Sequence, residues 1–213
     1  MKRTYLLLRQ SILVALILVS LSTKAQSVNI KVDDDILKIT PAGRMYLDGA
    51  TFIDDKTDLS NGVTMSDLRL GIKAKYKSWE VKMDIGYHHS KVSAKDVFVQ
   101  YNLNKSSYFR LGNYYESYAL DQMESTSNTA FITKNASAIV FGPNRKIGLS
   151  YIGWKKLYWV SAGAFADSGA LNNDKEGDDG YSVNGRFVFT PFKEKGKILH
   201  LGFAGVVRKA DAN

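Results

Sequence analysis

Leu68-Arg69-Leu70-Gly71-Ile72-Lys73-Ala74-Lys75-Tyr76-Lys77-Ser78-Trp79-Glu80-Val81-Lys82-Met83-Asp84-Ile85-Gly86-Tyr87 is the stretch whose reading decides the fold. Taken two residues at a time, Leu68, Leu70, Ile72, Ala74 and Tyr76 share one face, and Arg69, Gly71, Lys73 and Lys75 the other. The alternation resumes after Lys77-Ser78, with Trp79, Val81, Met83, Ile85 and Tyr87 against Glu80, Lys82, Asp84 and Gly86. Strict period two marks strands with one apolar and one polar face. A two-residue turn at Lys77-Ser78 sets Tyr76 against Trp79, Ala74 against Val81, Ile72 against Met83 and Leu70 against Ile85, all apolar pairs. The same register sets Lys75 against Glu80 and Lys73 against Lys82. A slip of one residue would turn every side chain to the wrong face, so turn length and face pattern specify one register independently. The apolar face is aromatic at both ends, and Leu68 to Tyr76 is nine residues, close to the ~9–11 that a tilted strand needs to cross a bilayer. Apolar residues outward, charges inward and an aromatic girdle predict an antiparallel transmembrane β-barrel.

The same unit recurs along the chain. Strands are predicted over Gly43–Ile53, Val92–Tyr101, Tyr108–Tyr114, Lys146–Ile152, Leu157–Phe165, Tyr181–Thr190 and Ile198–Arg208, making nine with the central hairpin. Leu157–Phe165 is apolar on both faces and rich in small residues. One set of connections, Asp54–Thr64, His88–Lys91, Tyr115–Asn144 and Ala166–Asp179, spans 11, 4, 30 and 14 residues. The interleaved set, Lys77–Ser78, Asn102–Ser107, Gly153–Lys156 and Pro191–Lys197, spans 2, 6, 4 and 7. Short turns at one end and long loops at the other are the habit of outer-membrane barrels. A secreted β-sandwich binding module, the competing soluble reading, gives no reason for them.

Composition sets the remaining bounds. The chain has 213 residues, 23% charged and 12% aromatic, enough for one ordered domain. It has no cysteine, which excludes disulfides and thiolate metal sites. Lys2, Arg3 and Arg9 precede an apolar run from Ser11 to Leu21, and Thr23-Lys24-Ala25 offers small residues for cleavage. Residues 1–25 therefore read as a signal peptide. They hold four basic residues and no acid, so removing them lowers the formal net charge from +8 to +4 and takes away much of the case for nucleic-acid binding. Residues 26–42, with Asp33-Asp34-Asp35, read as a polar lead-in, and residues 43–213 as the front part of a barrel.

Arg69-Leu70-Gly71-Ile72-Lys73-Ala74-Lys75-Tyr76, followed by Trp79-Glu80-Val81-Lys82, resembles a signature of the phosphate-selective porins O and P. Phe109-Arg110-Leu111-Gly112, Gly142-Pro143-Asn144-Arg145-Lys146-Ile147-Gly148, Phe165-Ala166-Asp167-Ser168-Gly169-Ala170 and Phe189-Thr190-Pro191-Phe192-Lys193 running to Leu199-His200-Leu201-Gly202 follow in that family's order. The resemblance covers about Gly43 to Arg208 and implies trimeric outer-membrane barrels of about sixteen strands. It also implies passive diffusion of phosphate and similar anions past a basic ladder, with outer-membrane lipid as surroundings and no cofactor. Nine strands would make a partial barrel, a fragment of a longer protein. Ser66 and Asp67 stand before Arg69 where relatives often carry more arginine.

Parity assigns Arg44, Arg69, Lys73, Lys82, Arg110, Lys146 and Arg186 to an anion path, with Lys75 beside them. Rings of Arg or Lys select anions in pores. Asp48, Asp67, Glu80, Asp84 and Asp96 share that face, so a mixed, hydrated lumen with charges paired across strands stays open as the alternative. Lys73 opposite Lys82 favours the anion path, because facing like charges repel without a counter-ion. Tyr115–Asn144 is long enough to fold inward as a constriction or to cap the outer rim. Asn172–Gly180 and Asp33–Asp35 read as solvated acidic runs rather than calcium sites. Adjacent His88 and His89 point to opposite strand faces and make no shared metal site. Ser168 has no histidine placed as its base, so a barrel enzyme does not assemble, and a non-transport outer-membrane barrel such as an adhesin stays open as an alternative.

Overall fold

The computed structural model describes residues 26–53, 60–88, 91–125, 134–136, 142, 144–166 and 180–209. They form one antiparallel meander, each strand paired with its neighbours in sequence. The strands are β1 (Val28–Val32), β2 (Asp35–Ala50), β3 (Gly62–Tyr76), β4 (Trp79–His88), β5 (Lys91–Asn104), β6 (Ser107–Tyr115), β7 (Arg145–Trp154), β8 (Tyr158–Ala166), β9 (Tyr181–Glu194) and β10 (Lys197–Lys209). A single short helix, α1 (Leu120–Met123), follows β6 among the described residues. The sheet is open, with β1 and β10 as its edges: an all-β, partial barrel.

Burial is inverted relative to a soluble protein. Leu70 is 68% exposed, and Ile72, Val81, Met83, Leu111 and Leu149 are exposed too, while Glu80, Gln100, Ser150, Ser182 and Asn184 are buried. In β9 the alternation is plain: Ser182, Asn184 and Arg186 are buried between exposed Val183 and Phe187. Water would penalise that arrangement and lipid rewards it. Cross-strand register lines Tyr76, Trp79, Tyr101, Phe109 and Tyr151 into one row over β3 to β7. Trp79 and Tyr101 lie 4.8 Å apart by ring centroid, and Phe109 and Tyr151 5.3 Å. The row sits at the short-turn end, where an interfacial girdle belongs.

Every pair anticipated in the central hairpin occurs, from Tyr76↔Trp79 to Leu70↔Ile85, including Lys73↔Lys82 and Lys75↔Glu80. The turn places Lys77 at φ 51°, a left-handed conformation of the kind that two-residue hairpins demand. Short turns fall at one end, at Asp33-Asp34, Lys77-Ser78, Lys105-Ser106, Lys155–Leu157 and Lys195-Gly196. Of the long connections, residues 54–59, 89–90, 126–133, 137–141, 143 and 167–179 lie outside the described residues, as do 1–25 and 210–213. The readings of the signal peptide, His89, Ser168 and most of Asn172–Gly180 fall there.

Several boundaries differ from those expected of the sequence, among them the start of β3 at Gly62 rather than Leu68. Ten strands are present, not nine, because the polar lead-in pairs with β2 as β1, Val28 against Ile39 through Val32 against Asp35. Its exposed edge position tolerates polar residues that no core would accept. β2 accordingly begins at Asp35 rather than Gly43. Pro191 does not end β9: the strand runs to Glu194, and a register shift between Leu199 and Leu201 falls opposite it. A bulge removes the need for the backbone donor that proline lacks.

The concave face is not wholly polar. Phe98, Tyr114 and Phe165 form a small buried cluster there, with centroid separations of 6.1 and 5.4 Å. This accounts for the second apolar face of β8. Gly112 and Gly148 are cross-strand partners beside it. Gly112 holds φ +140°, and a Cβ at either position would strike neighbours, the Val97 carbonyl and Phe98 for Gly112 and the Phe165 ring for Gly148.

Candidate pore-lining site

The alternation that turns apolar residues outward delivers the charged ones to the concave face, where they pair across strands. Arg44 and Arg69 are direct cross-strand partners, and like charges so placed repel. Asp67 relieves this by accepting from both, at 2.6 Å from Arg44 Nη2 and 3.0 Å from Arg69 Nε. Lys73 and Lys75 both reach Glu80, at 2.6 and 2.9 Å. Lys82 lies 2.8 Å from Asp84 and 3.0 Å from Asp96, and Asp96 also accepts from Arg145 at 2.6 Å. The facing pair Lys73 and Lys82 is thus balanced by carboxylates on the wall itself.

Arg110 and Arg186 differ. Among the described residues neither has a carboxylate within ion-pair distance. Arg110 donates to Gln100 Oε1 at 2.8 Å and stacks 4.1 Å over the Phe98 ring. Arg186 donates to the Tyr118 carbonyl at 3.1 Å. Lys146 lies 3.7 Å from Glu116 Oε1.

Glu116 itself, the first residue after β6, is 0% exposed. Its carboxylate accepts from Ser182 Oγ and Asn184 Nδ2, both at 3.1 Å, and from Arg208 Nη2 at 3.2 Å. The Ser117 carbonyl accepts from Ser161 Oγ at 2.8 Å. These bonds bind the start of the long connection to β7, β8, β9 and β10. The chain then crosses the concavity through α1, so that Gln122, Met123, Glu124 and Ser125 face Ala42, Arg44, Arg69, Gly71, Lys82 and Asp84 around a cavity of about 320 Å³. Its charged lining is Arg44, Arg69, Lys82, Lys134 and Arg145 against Asp84, Asp96 and Glu124. Lys134 donates to the Gln122 carbonyl at 2.7 Å. Burial, and then the nearby Arg145 guanidinium, hold its pKa below the usual lysine value.

A family model described as phosphate-selective porin O and P matches residues 42–213. The chain belongs to that family. No curated protein sequence matches it. For a porin, the inverted burial and the charged concave face take their ordinary meaning, a lipid-facing wall and a hydrated lumen. Family membership points to a channel rather than an enzyme.

Parity proposes seven cations for an anion path, with Lys75 beside them, and passes over five other charged residues of the concave side. Arg145 begins β7 inside its recognised motif, in the one position between the expected loop and the expected strand. Lys134 and Glu116 lie in that loop, where no period applies. Arg208 sits at the far edge, and its partner is 92 positions away in sequence. Lys95 is hidden by a bulge: Asp84 alone stands opposite Lys95 and Asp96, so both turn inward and the period is broken.

Proposed function

We propose that this chain forms an outer-membrane diffusion channel for small anions, phosphate among them, and that Glu116–Ser125 together with Lys134 narrows it. The supporting observation is the cavity between that segment and the wall, where five cations face three carboxylates. Water fills the rest of such a lumen, and an ion gives up part of its hydration only where charge of opposite sign compensates. Arg44, Arg69 and Lys82 then act as anion contacts that their own carboxylates hold in place. Lys73, Lys146, Arg110 and Arg186 supply field along the path. A lumen of mixed sign retards neither water nor small ions and gives a moderate, not absolute, preference. The outer-membrane location, the lipid surroundings and a homotrimeric assembly belong to the same reading.

The test is the reversal potential across a planar bilayer under a potassium chloride gradient. Anion preference is the expected result. Cation preference would end the proposal.

A further inference from the structure

The bulge in β5 sets a lysine apart from the paired cations. Lys95 and Asp96 stand together opposite Asp84 and point into the concavity. Asn113 Nδ2 donates to the Lys95 carbonyl at 2.6 Å and so supports the bulge backbone. The Lys95 side chain runs across Gly86, where even a Cβ would meet its Cε. Its charged neighbours are Arg69, Arg145, Asp67 and Arg44. Asp67 is engaged by both arginines, and among the described residues no carboxylate or hydrogen-bond acceptor lies within bonding distance of the Lys95 ammonium. The other lysines near the cavity spend their donors on protein oxygens: Lys73 and Lys75 on Glu80, Lys82 on Asp84 and Asp96, Lys134 on Gln122.

We propose that Lys95 is a specificity-determining residue of the pore, the lysine whose donors are free to hold a doubly charged oxyanion beside Arg69 and Arg145. The inference rests on the anion-channel reading above. A cation paired on the wall has fewer donors left for a passing ion, whereas an ammonium with unspent donors gives all of its charge-assisted hydrogen bonds to it. Gly86 is residue-for-residue opposite Arg69, so the lysine lies one inward position nearer the long-loop end than the Gly71–Asp84 pair lining the cavity. An oxyanion held there waits at the mouth of the narrow zone.

The experiment is block of the chloride current by inorganic phosphate, with sulfate as a second arm, in bilayers holding the purified protein. Lys95→Gln is compared with Lys77→Gln, which also removes one charge, but at the short-turn end, where Lys77 pairs with Asp35. Lys95→Arg tests rescue, and heat-modifiable gel mobility checks folding of each variant. The half-blocking phosphate concentration is expected to rise about tenfold in Lys95→Gln, as loss of one bond to a charged group implies. It should stay within about twofold of the parent in Lys77→Gln and Lys95→Arg. Equal shifts in the two glutamine variants would overturn the assignment, reducing Lys95 to one more charge. No block of the parent protein would overturn it as well, while an anion-preferring reversal potential would leave the channel reading standing. Block by sulfate as strong as by phosphate would support a site for doubly charged oxyanions in general.

Discussion

The wall from β2 to β5 and the wall from β7 to β10 solve the problem of charge in a channel in opposite ways. On the first, cations and carboxylates alternate along neighbouring strands, and three acids serve two bases each, Asp67 for Arg44 and Arg69, Glu80 for Lys73 and Lys75, and Asp96 for Lys82 and Arg145. On the second, the concave residues are mostly uncharged, Ser150, Ser161, Ser182 and Asn184, and one carboxylate brought in by the loop gathers the hydroxyl, amide and guanidinium donors. The first wall needs no plug, because its pairs are local and wet. The second is completed by the segment that crosses the lumen. Losing one charge should therefore be mild on the first wall and severe on the second.

Glu116→Gln is the sharpest way to break this contrast. It leaves Lys146 and Arg208 facing a neutral group, and removing one partner of a buried ion pair costs about 3–5 kcal/mol. The folded band on unheated gels should convert at a lower temperature, and open-channel current should become noisier as the segment loosens. Unchanged behaviour would show that Ser117 and Tyr118 hold the segment alone. On the lipid face, Met83→Arg should cost about 2–4 kcal/mol if it sits near the bilayer midplane, read as loss of the folded band. A tolerated arginine there would contradict the outward assignment of Leu70, Ile72, Val81 and Met83.

Deleting Ser125–Lys134 takes Ser125 and Lys134 out of the cavity lining, and single-channel conductance should rise. A constant conductance would mean that the narrowest point lies elsewhere. Smaller is the effect of Lys82→Met on the first wall, where Asp96 keeps Arg145 and stability should fall by about 0.2–1 kcal/mol. Smallest is Asp35→Asn at the turn end. Hydrogen bonding to Asp35, with Tyr76 adding to it, raises the pKa of exposed Lys77. A raised lysine pKa stabilises fully below its unfolded value and is lost only as pH climbs through the folded one. The pair is therefore intact at neutral pH, and its contribution should vanish only in strong alkali, where parent and variant melting curves should converge.

Much of this was legible before any coordinates. Period two fixed the faces of β3, β4 and β9, and a turn of two residues fixed the register of the hairpin, because both signals are local and a barrel repeats them. Loop lengths separated the two ends for the same reason. The lead-in reads as unstructured because the alternation of Val28-Asn29-Ile30-Lys31-Val32 is only five residues long and runs into Asp33-Asp34-Asp35, and Pro191 reads as a breaker because bulges cannot be seen in one strand alone.

The amino-acid order by itself determined that this is a porin wall, apolar outside and charged inside, since lipid and water impose their demands on every second residue. Only the tertiary structure decided which charges are spent on one another, that Glu116 ties the inward segment to strands far along the chain, and that Lys95 faces the lumen with no acceptor for its ammonium among the described residues. Those outcomes depend on bulges and on contacts between residues distant in sequence, where no local period reaches.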